Sequence, residues 1–120
     1  MGPAVPILRS FDEAHARAFW CDWLGFTVDW EHRFEPGLPL YMQVSRDGCV
    51  LHLSGHHGDA TPGSAVRVRT PDIIALLAEL RSRPYSGACP DIVDQNWGDR
   101  EIRLTDPSGN RVVFWQAQAE

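Results

Sequence analysis

The sequence predicts an α+β fold in which one order of elements, β-α-β-β-β, occurs twice. Two helical patterns carry this prediction, because each has four apolar residues at positions i, i+3, i+4 and i+7. Short segments of alternating polarity, separated by turn residues, follow both helices. With 120 residues, the chain is long enough for one domain with a buried core. We expect residues 1–57 to form the first module and residues 58–120 the second.

The first module begins with a short apolar segment at residues 4–8. Ser10 follows at the position of a helix N-cap, and Asp12 and Glu13 would lie at the positive end of the helix dipole. Gly25 is predicted to end this helix. Its apolar face consists of Ala16, Phe19, Trp20 and Trp23.

Three strands are predicted after the first helix. The alternation of residues 26–34 indicates a strand, and the proline-glycine turn at residues 36–39 leads into a second strand at residues 40–44. Asp47-Gly48 is a strong hairpin signal, and it precedes a third strand at residues 49–53. The first half therefore has the order β-α-β-β-β.

The same order is predicted in the second half, after a loop at residues 55–63 that is rich in Gly, His and Asp. A strand at residues 65–68 is followed by Pro71, which suits the first turn of a helix. Pro84 ends that helix, whose apolar face consists of Ile73, Leu76, Leu77 and Leu80. Three short strands are predicted at about residues 91–94, 100–105 and 111–115.

A five-residue turn, Asp106-Pro107-Ser108-Gly109-Asn110, joins the last two strands. Proline presets φ, glycine accepts a positive φ, and Asp106 can accept hydrogen bonds from the backbone amides that follow it. We therefore expect a β-hairpin with a longer loop.

The composition is that of a soluble globular protein, with 43% hydrophobic and 22% charged residues. A formal charge of −5 argues against a nucleic-acid partner, which requires a basic face. We expect no membrane span, because no apolar run is long enough, and no signal peptide, because the N-terminus lacks the pattern of one. Cys21, Cys49 and Cys89 lack the spacing of a disulfide or metal motif, which favours reduced thiols and a cytoplasmic location.

Several motifs resemble, in the same order, those of the glyoxalase, bleomycin-resistance and extradiol-dioxygenase superfamily, the vicinal oxygen chelate fold. They are Phe19-Trp20 with Leu24-Gly25-Phe26 at the end of the helix, the Trp97-Gly98 segment and the turn at residues 106–110. The resemblance covers nearly the whole chain. It implies paired βαβββ modules whose curled mixed sheets surround a cavity, usually closed by dimerisation, so we expect a homodimer.

Metal-dependent members of this superfamily carry His, Gln or Glu on three strands that face the cavity. The resemblance places these positions at Val5 or Pro6, near residues 64–66, and at Val113. These residues lack the imidazole or carboxylate groups that bind divalent metals. We therefore predict no metal and no other cofactor.

The resemblance also indicates ligand-binding residues. Trp97 matches the tryptophan of a Gln-x-Trp-Gly segment that lines the drug groove of bleomycin-resistance proteins, although it could also be a core or interface residue. Trp30 and Phe34 lie on the strand where those proteins have groove aromatics. Ser54 matches a Leu-x-x-Ser pattern. His52, on a strand expected to line the cavity, is either a pocket wall or base, or a buried core histidine.

These observations favour a metal-independent binding protein similar to the bleomycin-resistance group, which sequesters an aromatic or glycopeptide-type antibiotic in a groove at the dimer interface. Arg67 stands on a strand where those proteins have aromatic residues, and this argues against bleomycin itself. The alternative is an enzyme of the same superfamily, a glyoxalase-like lyase or isomerase or an antibiotic-modifying thiol transferase. A third hypothesis is a structural or regulatory dimer with a filled cavity.

Overall fold

A computed structural model describes residues 1–118 and contains two four-stranded mixed sheets. In the first module, helix α1 spans Glu13–Arg17 and continues as a π-helix over Ala18–Trp23. The strands of this module are β1 (Ile7–Arg9), β2 (Thr27–His32), β3 (Tyr41–Arg46) and β4 (Cys49–Ser54).

The second module contains helix α2 (Ile73–Ser82) and a second set of four strands. These are β5 (Ala65–Arg69), β6 (Val93–Asp94), β7 (Asp99–Thr105) and β8 (Arg111–Ala117). The sheet orders are β1-β4-β3-β2 and β5-β8-β7-β6, and in each sheet only the first pair is parallel. The predicted α+β fold with two βαβββ units is confirmed, and neither sheet closes into a barrel.

The start of α1 differs from the sequence-based expectation. Asp12, and not Ser10, is the N-cap, and its carboxylate accepts a hydrogen bond from the His15 amide at 2.9 Å. Ser10 is still tied to the sheet, because its amide donates to the carbonyl of Ser54 at 2.8 Å. The chain can therefore turn into the helix only after this residue. At the other end, Gly25 has a φ of +75°, as a helix-ending glycine should.

Both helices contribute to one shared core. The apolar faces predicted for α1 and α2 are buried, together with the inward side chains of both sheets. Polar contacts also join the modules, because the Trp23 indole donates to the Leu80 carbonyl at 3.0 Å and Arg46 pairs with Glu79 at 2.7 Å. Among the described residues, neither helix has the length and apolarity that crossing a membrane requires.

The Asp106 carboxylate fixes the last hairpin turn against the first module. One oxygen accepts from the backbone amides of Ser108 and Asn110, at 2.9 and 2.8 Å. The other accepts from the Trp20 indole at 3.2 Å and from the Asn110 side chain at 3.0 Å. The side-chain amide of Asn110 also donates to the backbone carbonyl of Arg9 at 2.7 Å. The turn predicted from the sequence thus joins the two modules.

Replacing Asp106 with alanine should lower the free energy of unfolding by about 2–4 kcal/mol, because a buried indole and two backbone amides lose their acceptor. Urea denaturation of Asp106→Ala measures the loss. The exposed Asp22 provides the control, since Asp22→Ala should change stability by no more than about 0.5 kcal/mol. Equal denaturation midpoints for the two variants would contradict the role given to Asp106.

Candidate functional site

Each sheet has one face on the shared core, and the residues that the structure describes leave its other face uncovered. In the first sheet, core-facing residues of β3 and β4 alternate with Tyr41, Gln43 and His52, which point the other way. Trp30 on β2 is in register with Gln43 and lies on the same side. We call these four residues, Trp30, Tyr41, Gln43 and His52, the first open face.

A β-bulge determines that Trp30 belongs to this face. The register of β2 against β3 shifts between Val28, which pairs with Val44, and Trp30. In a regular strand, Asp29 and Trp30 would point to opposite sides of the sheet. The bulge inserts one residue, so that the side chains of Asp29 and Trp30 both lie on the uncovered side.

The aromatic side chains of the first open face are in mutual contact. The rings of Trp30 and Tyr41 are nearly parallel, at 9°, with centroids 5.9 Å apart. The His52 ring contacts both of them edge-on at 5.2 Å. Trp30 nevertheless keeps 42% of its surface exposed. The first open face therefore carries a preformed aromatic platform at the surface.

A chain of hydrogen bonds connects the polar atoms beneath this platform. The Tyr41 hydroxyl lies 2.7 Å from His52 Nδ1, and His52 Nε2 lies 3.0 Å from Gln43 Oε1. Gln43 Nε2 donates to Asp29 at 3.1 Å. Burial raises the pKa of the Tyr41 phenol, and the charge of Asp59 raises it further. The phenol is therefore protonated at neutral pH.

Phe34 and Ser54 lie at the end of this sheet. Phe34 follows β2, is 72% exposed and contacts the rings of His32 and His56 edge-on. Ser54 ends β4 and is completely buried. Its hydroxyl donates to Asp59 at 2.6 Å and accepts from the amide of His56 at 3.1 Å. Ser54 thus anchors the loop between the modules, and its contact with a ligand stays a prediction.

The uncovered side of the second sheet is built around a buried carboxylate. Glu101 on β7 has no exposed surface and accepts hydrogen bonds from Arg67 at 2.6 Å, Arg103 at 2.8 Å and Gln95 at 3.0 Å. Burial by itself would raise the pKa of Glu101. The hydrogen bonds from Arg67 and Arg103 outweigh burial and hold the pKa below its usual range.

Trp97 belongs to this second uncovered side. It precedes β7, is 59% exposed, and its indole donates to Asp99 at 3.1 Å. Asp99 also accepts from Arg67, whose guanidinium lies 5.6 Å from the Trp115 ring. The exposure of Trp97 argues against the core position considered from the sequence. We call Arg67, Trp97, Glu101, Arg103 and Trp115 the second open face.

The structure brings Trp30 and His52 together, with Phe34 farther along the same sheet, and it places Trp97 on the other sheet. Three cavities of about 300, 410 and 550 Å³ lie elsewhere, and none is lined by any of the five predicted residues. A groove that contains Trp30 and Trp97 therefore needs a second wall. Sequence reasoning missed Tyr41 and Gln43, although the alternation of β3 could have indicated them.

Residues without metal-binding side chains stand at the positions where the resemblance places metal ligands. Val5 precedes β1, Ala65 is in register with Arg111, and Val113 is in register with both Arg67 and Arg103. Within residues 1–118, no group of three or more His, Cys, Asp or Glu side chains is arranged to hold a metal ion. The absence of a metal stays a prediction.

Glu101 should make part of the stability depend on pH. A carboxyl whose pKa is lowered by folding stabilises the protein at neutral pH, and this contribution is lost as pH falls through the folded-state pKa. Glu101→Gln should lower the free energy of unfolding by about 1–3 kcal/mol at pH 7. It should also flatten the decline of this free energy below about pH 5. Urea denaturation at a series of pH values from neutral to acidic measures the free energy of unfolding of both proteins.

The exposed Glu35 supplies a matched control. Glu35→Gln should follow the pH profile of the unmodified chain. If Glu101→Gln does so too, the role of Glu101 is refuted.

Solved structures of known proteins share this fold. A bleomycin-binding protein complexed with bleomycin has a TM-score of 0.73 and 24% identity, over 97% of this chain and 98% of that chain. A bleomycin resistance determinant encoded on the transposon Tn5 has a TM-score of 0.74 and 23% identity, over 98% and 99%. An antibiotic binding protein from Streptomyces sp. CB03234 has a TM-score of 0.76 and 24% identity, over 98% and 97%.

No curated protein matches the chain significantly. One protein family does match, over residues 2–120, and it is described as glyoxalase superfamily protein. The match covers almost the whole chain and agrees with the paired βαβββ units and with the motifs of the helix end and the last hairpin. This protein therefore belongs to the glyoxalase superfamily, which includes the bleomycin-resistance proteins.

Proposed function

We propose that this protein binds a planar aromatic small molecule of the antibiotic type, without a metal, in a groove at the interface of a homodimer. The observation that carries this proposal is the aromatic platform of Trp30, Tyr41 and His52 on a sheet face that its own chain leaves uncovered. Sequestration of the ligand requires no chemical step.

The first open face has the composition of a ligand-binding wall. Small-molecule sites combine apolar and aromatic area with a few polar groups that fix the orientation of the ligand. Here the exposed indole of Trp30 supplies the stacking surface, and the hydroxyl of Tyr41 lies among the aromatic rings. Ile7, which is in register with His52 and 41% exposed, extends the apolar surface.

The second open face suits the opposite wall of the groove. It carries Arg67 and Arg103, whereas the first sheet has the carboxylates of Asp29 and Asp59 on or beside its uncovered side. In a dimer with two-fold symmetry, the first open face of each chain can contact the second open face of the other chain. Symmetry then forms this contact twice. This pairing covers both faces and brings Trp97 of one chain opposite the platform of the other.

The relatives support the choice of ligand class. They include a bleomycin-binding protein and an antibiotic binding protein, and the structural similarity to both extends over nearly the whole chain. Arg67 and Arg103 on the second open face disfavour a planar cation, so a neutral aromatic ligand fits better. We propose a cytoplasmic location, because Cys21, Cys49 and Cys89 are all free thiols. A net charge of −5 argues against a nucleic-acid partner.

A second candidate is a lyase or isomerase of the same superfamily, or a thiol transferase that modifies an antibiotic. The observation in its favour is the hydrogen bond between His52 and Tyr41, because a histidine within reach of a ligand can act as a general base. Elemental analysis of the purified protein and product analysis after incubation with a ligand distinguish the two functions.

Loss of either tryptophan should weaken binding. In a screen of glycopeptide and enediyne-type antibiotics, Trp30→Ala and Trp97→Ala should each weaken the binding of a hit by about 5- to 150-fold, the effect of an aromatic anchor worth about 1–3 kcal/mol. Isothermal titration calorimetry measures the affinity. Melting temperatures should change little, because neither side chain is part of the buried core.

The exposed Ile74 on α2 belongs to neither open face and provides a control, and Ile74→Ala should bind normally. Retained affinity in both tryptophan variants would refute the groove. A large fall in melting temperature for Trp97→Ala would show that this residue stabilises the fold instead.

The proposed groove requires a dimer at micromolar concentration. Sedimentation should give roughly twice the 13.5 kDa mass of one chain, because isolated chains would leave two sheet faces and their edges exposed. Analytical ultracentrifugation over a dilution series measures the mass. A stable 13.5 kDa species throughout the series would exclude the dimeric groove.

A further inference from the structure

We infer that the first open face presents a hydrogen-bond acceptor, the hydroxyl oxygen of Tyr41, and therefore selects planar ligands with an N–H or O–H donor on their edge. This inference rests on the proposed binding function and specifies its ligand class. It follows from the direction of the hydrogen-bond chain that runs from Tyr41 to Asp29.

The direction is determined at Asp29. An ionised carboxylate can only accept hydrogen bonds. Its two oxygens lie 3.1 Å from Gln43 Nε2 and 3.0 Å from Ser45 Oγ, so both of these groups donate to it. The side-chain amide of Gln43 is thereby oriented, with its NH₂ group toward Asp29 and its carbonyl oxygen toward His52. Asp29 follows Val28, which pairs with Val44 on the core side, so its carboxylate lies on the same side of the sheet as Gln43.

The orientation of Gln43 determines the tautomer of His52. The carbonyl oxygen Oε1 can only accept, so the proton of the neutral imidazole lies on Nε2, which is 3.0 Å away. Nδ1 is then an acceptor, and the Tyr41 hydroxyl must donate to it across 2.7 Å. The only hydroxyl proton of Tyr41 is thus engaged within the protein.

The Tyr41 oxygen therefore has a lone pair left, which can accept a hydrogen bond from a ligand. A donor on the ligand gains a hydrogen bond there, whereas a carbonyl or ether oxygen would meet a second acceptor. The negative charge of Asp59 helps to keep the hydroxyl of Tyr41 protonated, because it raises the pKa of the phenol beyond the effect of burial. On the second open face, Arg67 and Arg103 are donors. The first open face therefore requires a hydrogen-bond donor on the ligand, whereas the second open face requires an acceptor.

The first test reads the tautomer without any ligand. Long-range ¹H–¹⁵N spectra at pH 8 should show His52 with its proton on Nε2. Asp29→Asn, whose amide can itself donate, releases Gln43 from its fixed orientation and should reduce this preference. Asp91→Asn, a change at an exposed carboxylate, should not. A proton on Nδ1 in the unmodified protein would overturn the inference.

The second test compares indole with benzofuran, two planar probes of the same shape that differ in an N–H donor and an oxygen acceptor. Chemical-shift titrations should show indole binding about two- to tenfold more tightly, the value of one net hydrogen bond. Tyr41→Phe should remove this difference and leave benzofuran binding unchanged. Tyr85→Phe, which alters the other tyrosine, should preserve the difference.

The outcomes separate this inference from the proposed function. If the protein binds both probes equally, or prefers benzofuran, the inference is overturned while binding at this face stands. If neither probe binds, the binding function fails together with the inference, even with His52 in the Nε2–H form. Preference for indole that depends on Tyr41 supports both.

Discussion

Both helices pack into one shared core, and residues 1–118 leave one face of each sheet uncovered. The rest of the structure depends on this constraint. The inward side chains of both modules are used to stabilise the monomer, and Asp106 and Trp20 fasten the modules together. Residues on the uncovered faces are consequently free of core packing. They can carry the exposed aromatic and charged groups on which recognition depends.

A single extra residue in β2 shapes the first open face. Without the bulge, the indole of Trp30 would point away from Tyr41 and His52, and the side chains of neighbouring residues would alternate between the two sides. With it, the stacking surface and the carboxylate of Asp29 lie on one side. The bulge thus adds the indole of Trp30 to the side of the sheet that carries the polar chain.

Sequence patterns predicted the parts of the fold that depend on local periodicity. The apolar faces of both helices, the glycine that follows the first helical segment (Gly25) and the Asp106 turn were recognisable, because helical spacing and turn chemistry are properties of neighbouring residues. The true N-cap was not, because a backbone hydrogen bond from Ser10 to a distant strand delays the helix. Strand ends were correct only to within a few residues.

The candidate site was predictable to a lesser degree. Trp30 and Trp97 were indicated by their motifs, and their exposure agrees with a surface role. The partners of His52 were not indicated, because they depend on the register between β3 and β4 and on a bulge that no local pattern reveals. The buried position of Ser54 likewise results from the loop that folds over it.

The burial of Glu101 has a consequence for the energetics of recognition. Arginine side chains have large rotamer entropy, and ordering them on contact with a ligand reduces affinity. On the second open face, Arg67 and Arg103 are already held by a carboxylate that lies beneath them, out of reach of solvent. Their ordering is therefore completed during folding of the chain. A molecule that reaches this face meets rigid donors at fixed positions, so its affinity is not reduced by their immobilisation.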